Sequence, residues 1–270
     1  MTDRYAVVGN PVAHSRSPAI HAAFARQTGE DILYSRLLAP LDNFARTVAG
    51  FFDAGGKGVN VTLPFKGEAA RLATKLSERA RRAEAANTLR FDVDGIYGDN
   101  TDGPGLVRDL TVNLGAALAG RRVLLIGAGG AASGVVGALL GTGVARLVIA
   151  NRTRERAEAL ARRHGAPVAA CGLEDLGGEP FDVLINATSA GLAGAALPLP
   201  AGAVAPGAFA YDMAYGPLAE PFLAAAGLAG AARLADGLGM LVEQAAESFL
   251  VWRGIRPDSA PVLAELRAAR

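Results

Sequence analysis

Apolar positions along this chain fall into short runs, separated by turns rich in glycine, proline, asparagine and aspartate. Residues 5–9, 33–38, 58–62, 123–126, 147–150, 167–170, 181–185 and 208–213 each read as a strand, the run Val123-Leu-Leu-Ile126 as one buried on both faces. Between them the spacing changes to that of helices. One starts at Ser17-Pro18 with Ile20 and Phe24 on one face, another spans 42–54, and an arginine-rich one spans 77–86. A last helix starts at Asp236 and carries an apolar stripe at Leu241, Ala245, Phe249 and Trp252. Residues 89–96 read as a hairpin turning at Asp92-Val-Asp-Gly95. Strand and helix patterns alternate, which predicts an α/β protein.

The strand at 123–126 is followed by Gly127-Ala-Gly-Gly-Ala-Ala132 and a small-residue helix. Gly127 permits a tight turn, Gly129 lets backbone amides approach a pyrophosphate, and Ala132 fills the third place of a dinucleotide fingerprint. The phosphates would sit on the positive end of that helix. After the next strand, where an NAD-binding unit carries Asp or Glu for the ribose 2′-hydroxyl, stands Asn151-Arg-Thr-Arg-Glu-Arg156. The acid is replaced by guanidinium and hydroxyl groups, which favours the 2′-phosphate of NADP. Arg152 and Thr153 are the foremost candidates, then Arg156; Arg154, Arg162 and Arg163 read as exposed helix charges.

Composition narrows the classes. The 270 residues are 51% hydrophobic and 20% charged, enough for two domains, and the net charge of +1 without a basic block disfavours nucleic acid or an anionic membrane as partner. No apolar run approaches a membrane span, and Met1-Thr-Asp-Arg-Tyr5 lacks the apolar core of a signal peptide, so a cytoplasmic protein is expected. A single cysteine, Cys171, excludes an internal disulfide and a cysteine-based zinc cluster. Gly98-Asp-Asn-Thr-Asp-Gly103 fails as a calcium loop, with glycine at the first ligand position and no closing Glu, so no metal site is expected.

Among the 27 basic residues only Lys57, Lys66 and Lys75 are lysine. Lys66 follows Pro64-Phe65 in the first turn of an expected helix, where the dipole disfavours a cation, a setting that suits a group exchanging protons. Asp102 opens the next helix; it either caps that helix or holds a substrate hydroxyl and a catalytic ammonium. Ser17 is read as an N-cap, and with Ser15 it also suits a carboxylate at a helix N-terminus. His14 and His21 lack a partner constellation and read as structural. Asn186-Ala-Thr-Ser-Ala-Gly191 ends a strand where open α/β sheets bind ligands. On the stripe alone Met240 reads as core and Gln244 as merely polar.

In their order and spacing these stretches resemble the shikimate dehydrogenases over essentially the whole chain. The resemblance rests on Ala13-His-Ser-Arg-Ser-Pro18, Gly58-Val-Asn-Val-Thr-Leu-Pro-Phe-Lys66, Asn87-Thr-Leu89 and Gly98-Asp-Asn-Thr-Asp-Gly103. It continues through Gly127-Ala-Gly-Gly-Ala131, Asn151-Arg-Thr153, Asn186-Ala-Thr-Ser189, Tyr211-Asp-Met213 with Tyr215, and Asp236-Gly-Leu-Gly-Met-Leu-Val-Glu-Gln-Ala245. A departure is Ala83-Glu-Ala-Ala86, where the family usually has Gly-Ala-Val.

The resemblance implies reversible NADPH-dependent reduction of 3-dehydroshikimate to shikimate, on the route to chorismate and the aromatic amino acids. It implies a Rossmann-type doubly wound NADP-binding domain at 102–236 and an α/β substrate domain at 1–101, completed by C-terminal helices at 237–270. Lys66 matches the catalytic lysine and Asp102 its partner. Ser15 and Ser17 match the carboxylate-binding pair, with Thr62, Asn87, Tyr215 and Gln244 on ring hydroxyls. The cofactor positions are Gly127, Ala128, Gly129, Gly130, Ala131, Asn151, Arg152, Thr153, Arg156, Thr188 and Ser189, with Glu78, Met213, Gly237 and Met240 toward the nicotinamide. A small-molecule substrate and a monomer or homodimer are expected. The alternatives are a quinate/shikimate or aminoshikimate dehydrogenase, or a ligand sensor without catalysis.

Overall fold

The structure, a computed structural model, describes residues 2–177, 179–189, 197, 199–200 and 202–269. The chain folds as two units: residues up to Gly105 together with those from Leu241, and Leu106–Met240.

In the first unit β1 (Asp3–Gly9) lies between β2 (Ile32–Leu38) and β3 (Gly56–Val61), both parallel to it. The hairpin β5 (Thr88–Asp92) and β6 (Gly95–Asp99) adds antiparallel to β3, and a two-strand-residue piece, β4 (Lys75–Leu76), closes the edge in the order β2-β1-β3-β5-β6-β4. Alternation along β1 sends Ala6 and Val8 into a core with Phe44, Val48, Phe51 and Phe65, and Tyr5 and Val7 into another with Tyr34 and Trp252. The helices are α1 (Ser17–Thr28), α2 (Phe44–Asp53), α3 (Lys66–Leu72), α4 (Glu78–Ala83), α5 (Asp102–Arg108), and, from the C-terminal part, α9 (Leu238–Arg253) and α10 (Ser259–Ala268).

The second unit is an all-parallel sheet with the strand order β12-β11-β10-β7-β8-β9. Its strands are β7 (Arg122–Ile126), β8 (Arg146–Asn151), β9 (Val168–Gly172), β10 (Phe181–Asn186), β11 (Val204–Asp212) and β12 (Arg233–Asp236). Helices α6 (Gly130–Gly141), α7 (Arg154–His164) and α8 (Glu220–Leu228) connect them. Apolar cores lie on both faces: Leu125, Ile149 and Ile185 point to one, Leu124, Val148 and Leu184 to the other. The order reverses between β7 and β10, which is where doubly wound sheets bind ligands.

Three local readings change. Ser17 is the first helical residue of α1, and Arg16 is the N-cap, because the Arg16 carbonyl already accepts from the Ala19 and Ile20 amides. The Ser17 hydroxyl is therefore not spent on capping. Helix α4 covers only part of 77–86: Glu84 turns left-handed (φ 49°), and Ala85 and Ala86 leave the helix to be buried, the Ala86 amide donating to the Lys66 carbonyl. Asp236 ends β12 instead of starting a helix, and its carboxylate accepts from the Leu238 amide at the head of α9 (3.3 Å).

Candidate active site

Lys66 is the first residue of α3, immediately beyond the carboxyl end of β3, and its ammonium is mostly buried. Its Nζ donates to Asp102 Oδ2 at 2.6 Å. Asp102 is the first residue of α5; its own amide donates to Asn100 Oδ1 at 3.1 Å, and its carboxylate is taken up by side chains of the site. Oδ1 of Asp102 accepts from Asn87 Nδ2 at 3.0 Å, and the same amide donates to Gln244 Oε1 at 3.2 Å. Lys66, Asp102, Asn87 and Gln244 thus form one hydrogen-bonded chain drawn from α3, α5, the start of β5 and α9.

Beneath that chain lies a buried polar layer that sequence reasoning did not assign. Asn87 Oδ1 accepts from the Thr101 amide (2.8 Å) and the Thr88 hydroxyl (3.0 Å). Asn60 donates to Ser248 (2.8 Å) and Thr88 (3.1 Å), and the Tyr34 hydroxyl donates to Asn60 Oδ1 (2.8 Å). Burial pushes the Tyr34 phenol far above its ordinary value, partly offset by a hydrogen bond with Ser17. Each buried polar group left without a partner would cost about 1–3 kcal/mol, so this layer fixes Asn87 by satisfaction of all its members. The signals were present: Asn60 interrupts an apolar strand, and Ser248 lies one helical turn beyond Gln244 on α9.

Ser15 and Ser17 come together at the start of α1, their hydroxyls 3.2 Å apart, with the Ser17 amide donating to Ser15 Oγ at 3.3 Å. Arg36 of β2 reaches the same loop and donates from Nε and Nη2 to the Ser15 carbonyl, at 3.0 and 2.6 Å. Thr62 is half-buried where β3 ends, its amide donating to the Val8 carbonyl at 2.9 Å. Glu78 is exposed on α4 and paired with Arg82 at 2.5 Å. Its neighbour Arg79 grips the buried Asp99 through two bonds of 2.7 Å. Burial alone would raise the Asp99 carboxyl, but the Arg79 and Ser77 hydrogen bonds hold it below the usual range. His21 is fully buried among Tyr34, Phe24, Phe249 and Trp252, and burial pushes it down to about 3, so it stays neutral.

In the second unit the turn after β7 is open. Gly127 has φ 114°, and a Cβ there would meet the Ala187 carbonyl oxygen at 3.1 Å. Gly129, the N-cap of α6, is exposed with open space around it, and no side chain caps the helix. The first amides of α6 are therefore free to meet phosphate oxygens. Ala128, Gly130 and Ala131 complete this half-exposed turn. Across the sheet reversal, Thr188 is pinned through its amide and hydroxyl to Asn186 Oδ1 (3.0 and 2.8 Å), with Ser189 exposed beside it; residues 190–191 of the same motif lie outside the described residues.

At the end of β8, Asn151 Nδ2 donates to the Thr153 carbonyl at 2.8 Å. Arg152 and Arg156 are exposed with no carboxylate partner among the described residues, whereas Arg154 is paired with Glu158 and Asp175. Open helix amides, an amide in place of the acid, and two unpaired guanidinium groups together fit NADP. Beyond β11, Met213 donates its amide to the Asn186 carbonyl, Gly237 donates to the Ala214 carbonyl, and Tyr215 is half-buried; Met240 is buried and packs in an apolar core, the reading that the resemblance sets aside in favour of the nicotinamide. Asp212 is buried; burial pushes its carboxyl up to about 6 against hydrogen bonds from Asn186 and the Ala214 amide.

The open turn with free helix amides fits a phosphorylated dinucleotide, and a buried lysine–aspartate pair is an arrangement able to exchange a proton; the class is an NADP-dependent α/β oxidoreductase. Comparison with known proteins gives the family. Residues 7–89 match the shikimate dehydrogenase substrate binding domain, 109–193 the shikimate/quinate 5-dehydrogenase family, and 237–267 the shikimate 5′-dehydrogenase C-terminal domain. The chain is 60% identical to a shikimate dehydrogenase (NADP(+)) of Dechloromonas aromatica, covering 99% of this chain and 98% of the relative. Two crystal structures are similar to it. An Ael1 enzyme from Pseudomonas putida has TM-score 0.89 and 47% identity, over 98% of each chain. The Thermus thermophilus shikimate 5-dehydrogenase, in complex with NADP(H) and shikimate, has TM-score 0.87 and 35% identity over 100% of both chains. The chain belongs to the shikimate dehydrogenase family and is an NADP-dependent oxidoreductase.

Proposed function

We propose that Lys66 and Asp102 carry the proton in the reversible NADPH-dependent reduction of 3-dehydroshikimate to shikimate, a step toward chorismate. The 2.6 Å pair they form, held by Asn87 on its other side, is the observation that carries this reading. In reduction Lys66, as ammonium, gives its proton to the carbonyl oxygen that becomes the hydroxyl. In oxidation neutral Lys66 takes that proton back. Asp102 orients Lys66 through Oδ2 and is itself oriented through Oδ1. The hydride is the chemistry that NADPH supplies when bound.

The substrate carboxylate goes to Ser15 and Ser17, and the ring hydroxyls to Thr62, Asn87, Tyr215 and Gln244. The pyrophosphate goes to Gly127, Ala128, Gly129, Gly130 and Ala131, flanked by Thr188 and Ser189. The adenosine 2′-phosphate goes to Arg152, Thr153 and Arg156, with Asn151 shaping that turn. By the family resemblance, Glu78, Met213, Gly237 and Met240 are assigned to the nicotinamide. A cytoplasmic monomer or homodimer completes the proposal; one cysteine calls for no oxidising compartment.

The match to a family that includes quinate dehydrogenases supports a second reading, in which quinate is the substrate. The test is nicotinamide absorbance with shikimate and NADP, run beside quinate and NAD. Reduction of NADP with shikimate alone is the expected outcome. Reduction with quinate supports the second reading, and silence throughout, from folded protein that binds nucleotide, points to a sensor.

A further inference from the structure

Three parallel strands of the first unit end side by side, and each delivers a residue toward the serine pair or the lysine. Beyond β1 runs the loop to Ser15 and Ser17, and beyond β3 come Thr62 and Lys66. The neighbour on the other side of β1 is β2, with Arg36 in register with Val7 near its carboxyl end. Tyr34 on β2 stacks on His21 of α1 at 4.2 Å, and Ser17 lies one turn before His21 on the same helix face. Arg36, two residues beyond Tyr34, shares its face of the strand and so arrives level with the start of α1.

There the guanidinium makes two hydrogen bonds to one acceptor, the Ser15 carbonyl. It has no carboxylate partner among the described residues. Arg79, Arg90 and Arg122 each hold one, and Arg154, Arg253 and Arg256 two each. No carboxylate among the described residues offsets the Arg36 guanidinium, which fixes the backbone of a residue whose hydroxyl, with that of Ser17, is neutral. A carboxylate docking on two hydroxyls alone would meet no opposite charge there.

We infer that Arg36 is the positioning cation of the carboxylate subsite: it fixes Ser15 and supplies the charge that selects an anionic substrate. The inference rests on the placement of the substrate carboxylate at Ser15 and Ser17. Its effect is on substrate capture, since Arg36 has no part in the lysine–aspartate pair.

The experiment is steady-state oxidation of shikimate and of its methyl ester by wild type, Arg36→Ala, Arg36→Gln and Arg36→Lys, at low and at 0.5 M salt. Loss of a charge-assisted contact is expected to raise KM for shikimate about tenfold in the Ala and Gln variants, with kcat within about twofold of wild type. KM for the neutral ester should rise much less than that for shikimate in the Ala and Gln variants, because the ester loses only the fixing of Ser15 and not the charge. Wild-type kcat/KM for shikimate should fall with salt more steeply than that of the Ala and Gln variants, and Arg36→Lys should recover part of the loss. An unchanged KM for shikimate overturns the inference. So does an equal rise for shikimate and its ester, which would show that Arg36 only shapes the loop. Absence of shikimate oxidation by wild type would count against the proposed function itself, and a KM for shikimate no lower than for the ester in wild type against the carboxylate placement.

Discussion

The two binding ends of this chain are built in opposite ways. In the first unit the candidate site consists of side chains that satisfy one another: Lys66 with Asp102, Asp102 with Asn87, Asn87 with Gln244, over the layer of Asn60, Thr88, Thr101 and Ser248. In the second unit it consists of groups left open: helix amides without a side-chain cap, Gly129 in free space, and Arg152 and Arg156 with no carboxylate partner among the described residues. The difference follows from what each site recognises under the proposed function. Ring hydroxyls of similar chemistry are told apart by donors and acceptors in fixed directions, which demands a rigid, fully bonded frame. Phosphates are recognised by charge and by backbone N–H groups, which a turn and a helix end provide without special side chains.

The comparison makes its sharpest demand at Lys66. Lys66→Ala is expected to lower kcat about a hundredfold or more, the scale of general acid–base help, with a small change in shikimate affinity. Turnover and equilibrium binding measured on the same preparation check this; retained turnover would remove Lys66 from the proton step. In the open end the loss should appear in binding. Arg152→Ala combined with Arg156→Ala is expected to raise KM for NADP about tenfold per guanidinium and to leave KM for NAD unchanged. An equal rise for both nucleotides would mean that these arginines do not read the 2′-phosphate.

A third contrast separates the units by pH. His21 in the first unit is pushed from 6.5 down to about 3, so the unfolded chain binds the proton more readily. Its contribution to stability is complete above about pH 6.5 and is lost as pH falls toward 3. Asp212 in the second unit is pushed from 3.8 up to about 6, so the folded chain holds that proton more readily. Its contribution is greatest below 3.8 and declines as pH rises to about 6. Thermal unfolding across pH 4–7 should therefore lose its rising component in His21→Phe and its falling component in Asp212→Asn. Parallel curves for wild type and both variants would contradict both assignments.

Much of this was legible along the chain, for identifiable reasons. The parallel strands announced themselves because strands buried on both faces must be continuously apolar, as at Val123–Ile126. The nucleotide end was legible because it is local: Gly127 to Ala131 and Asn151 to Arg156 are each one turn at one strand's end. Short or amphipathic pieces were missed, among them β4, β12, α8 and α10, whose patterns are too brief or too alanine-rich to stand out. Ser17 was read as a cap because Ser-Pro at a helix start is a strong signal, yet the helix begins one residue earlier and leaves the hydroxyl for other work.

By itself the sequence determined the α/β character, the dinucleotide turn and the NADP cofactor, and it singled out Lys66 as a candidate, since each is written in contiguous residues. Only the tertiary structure decided that Asn87 stands between Asp102 and Gln244, that Asn60, Thr88, Thr101 and Ser248 lock it there, and that Arg36 reaches Ser15. These partners lie up to 188 residues apart, as Asn60 and Ser248 do. Periodicity reports which face of an element is buried; it does not report which other element that face meets, and the direction of a hydrogen bond is fixed only when the two meet.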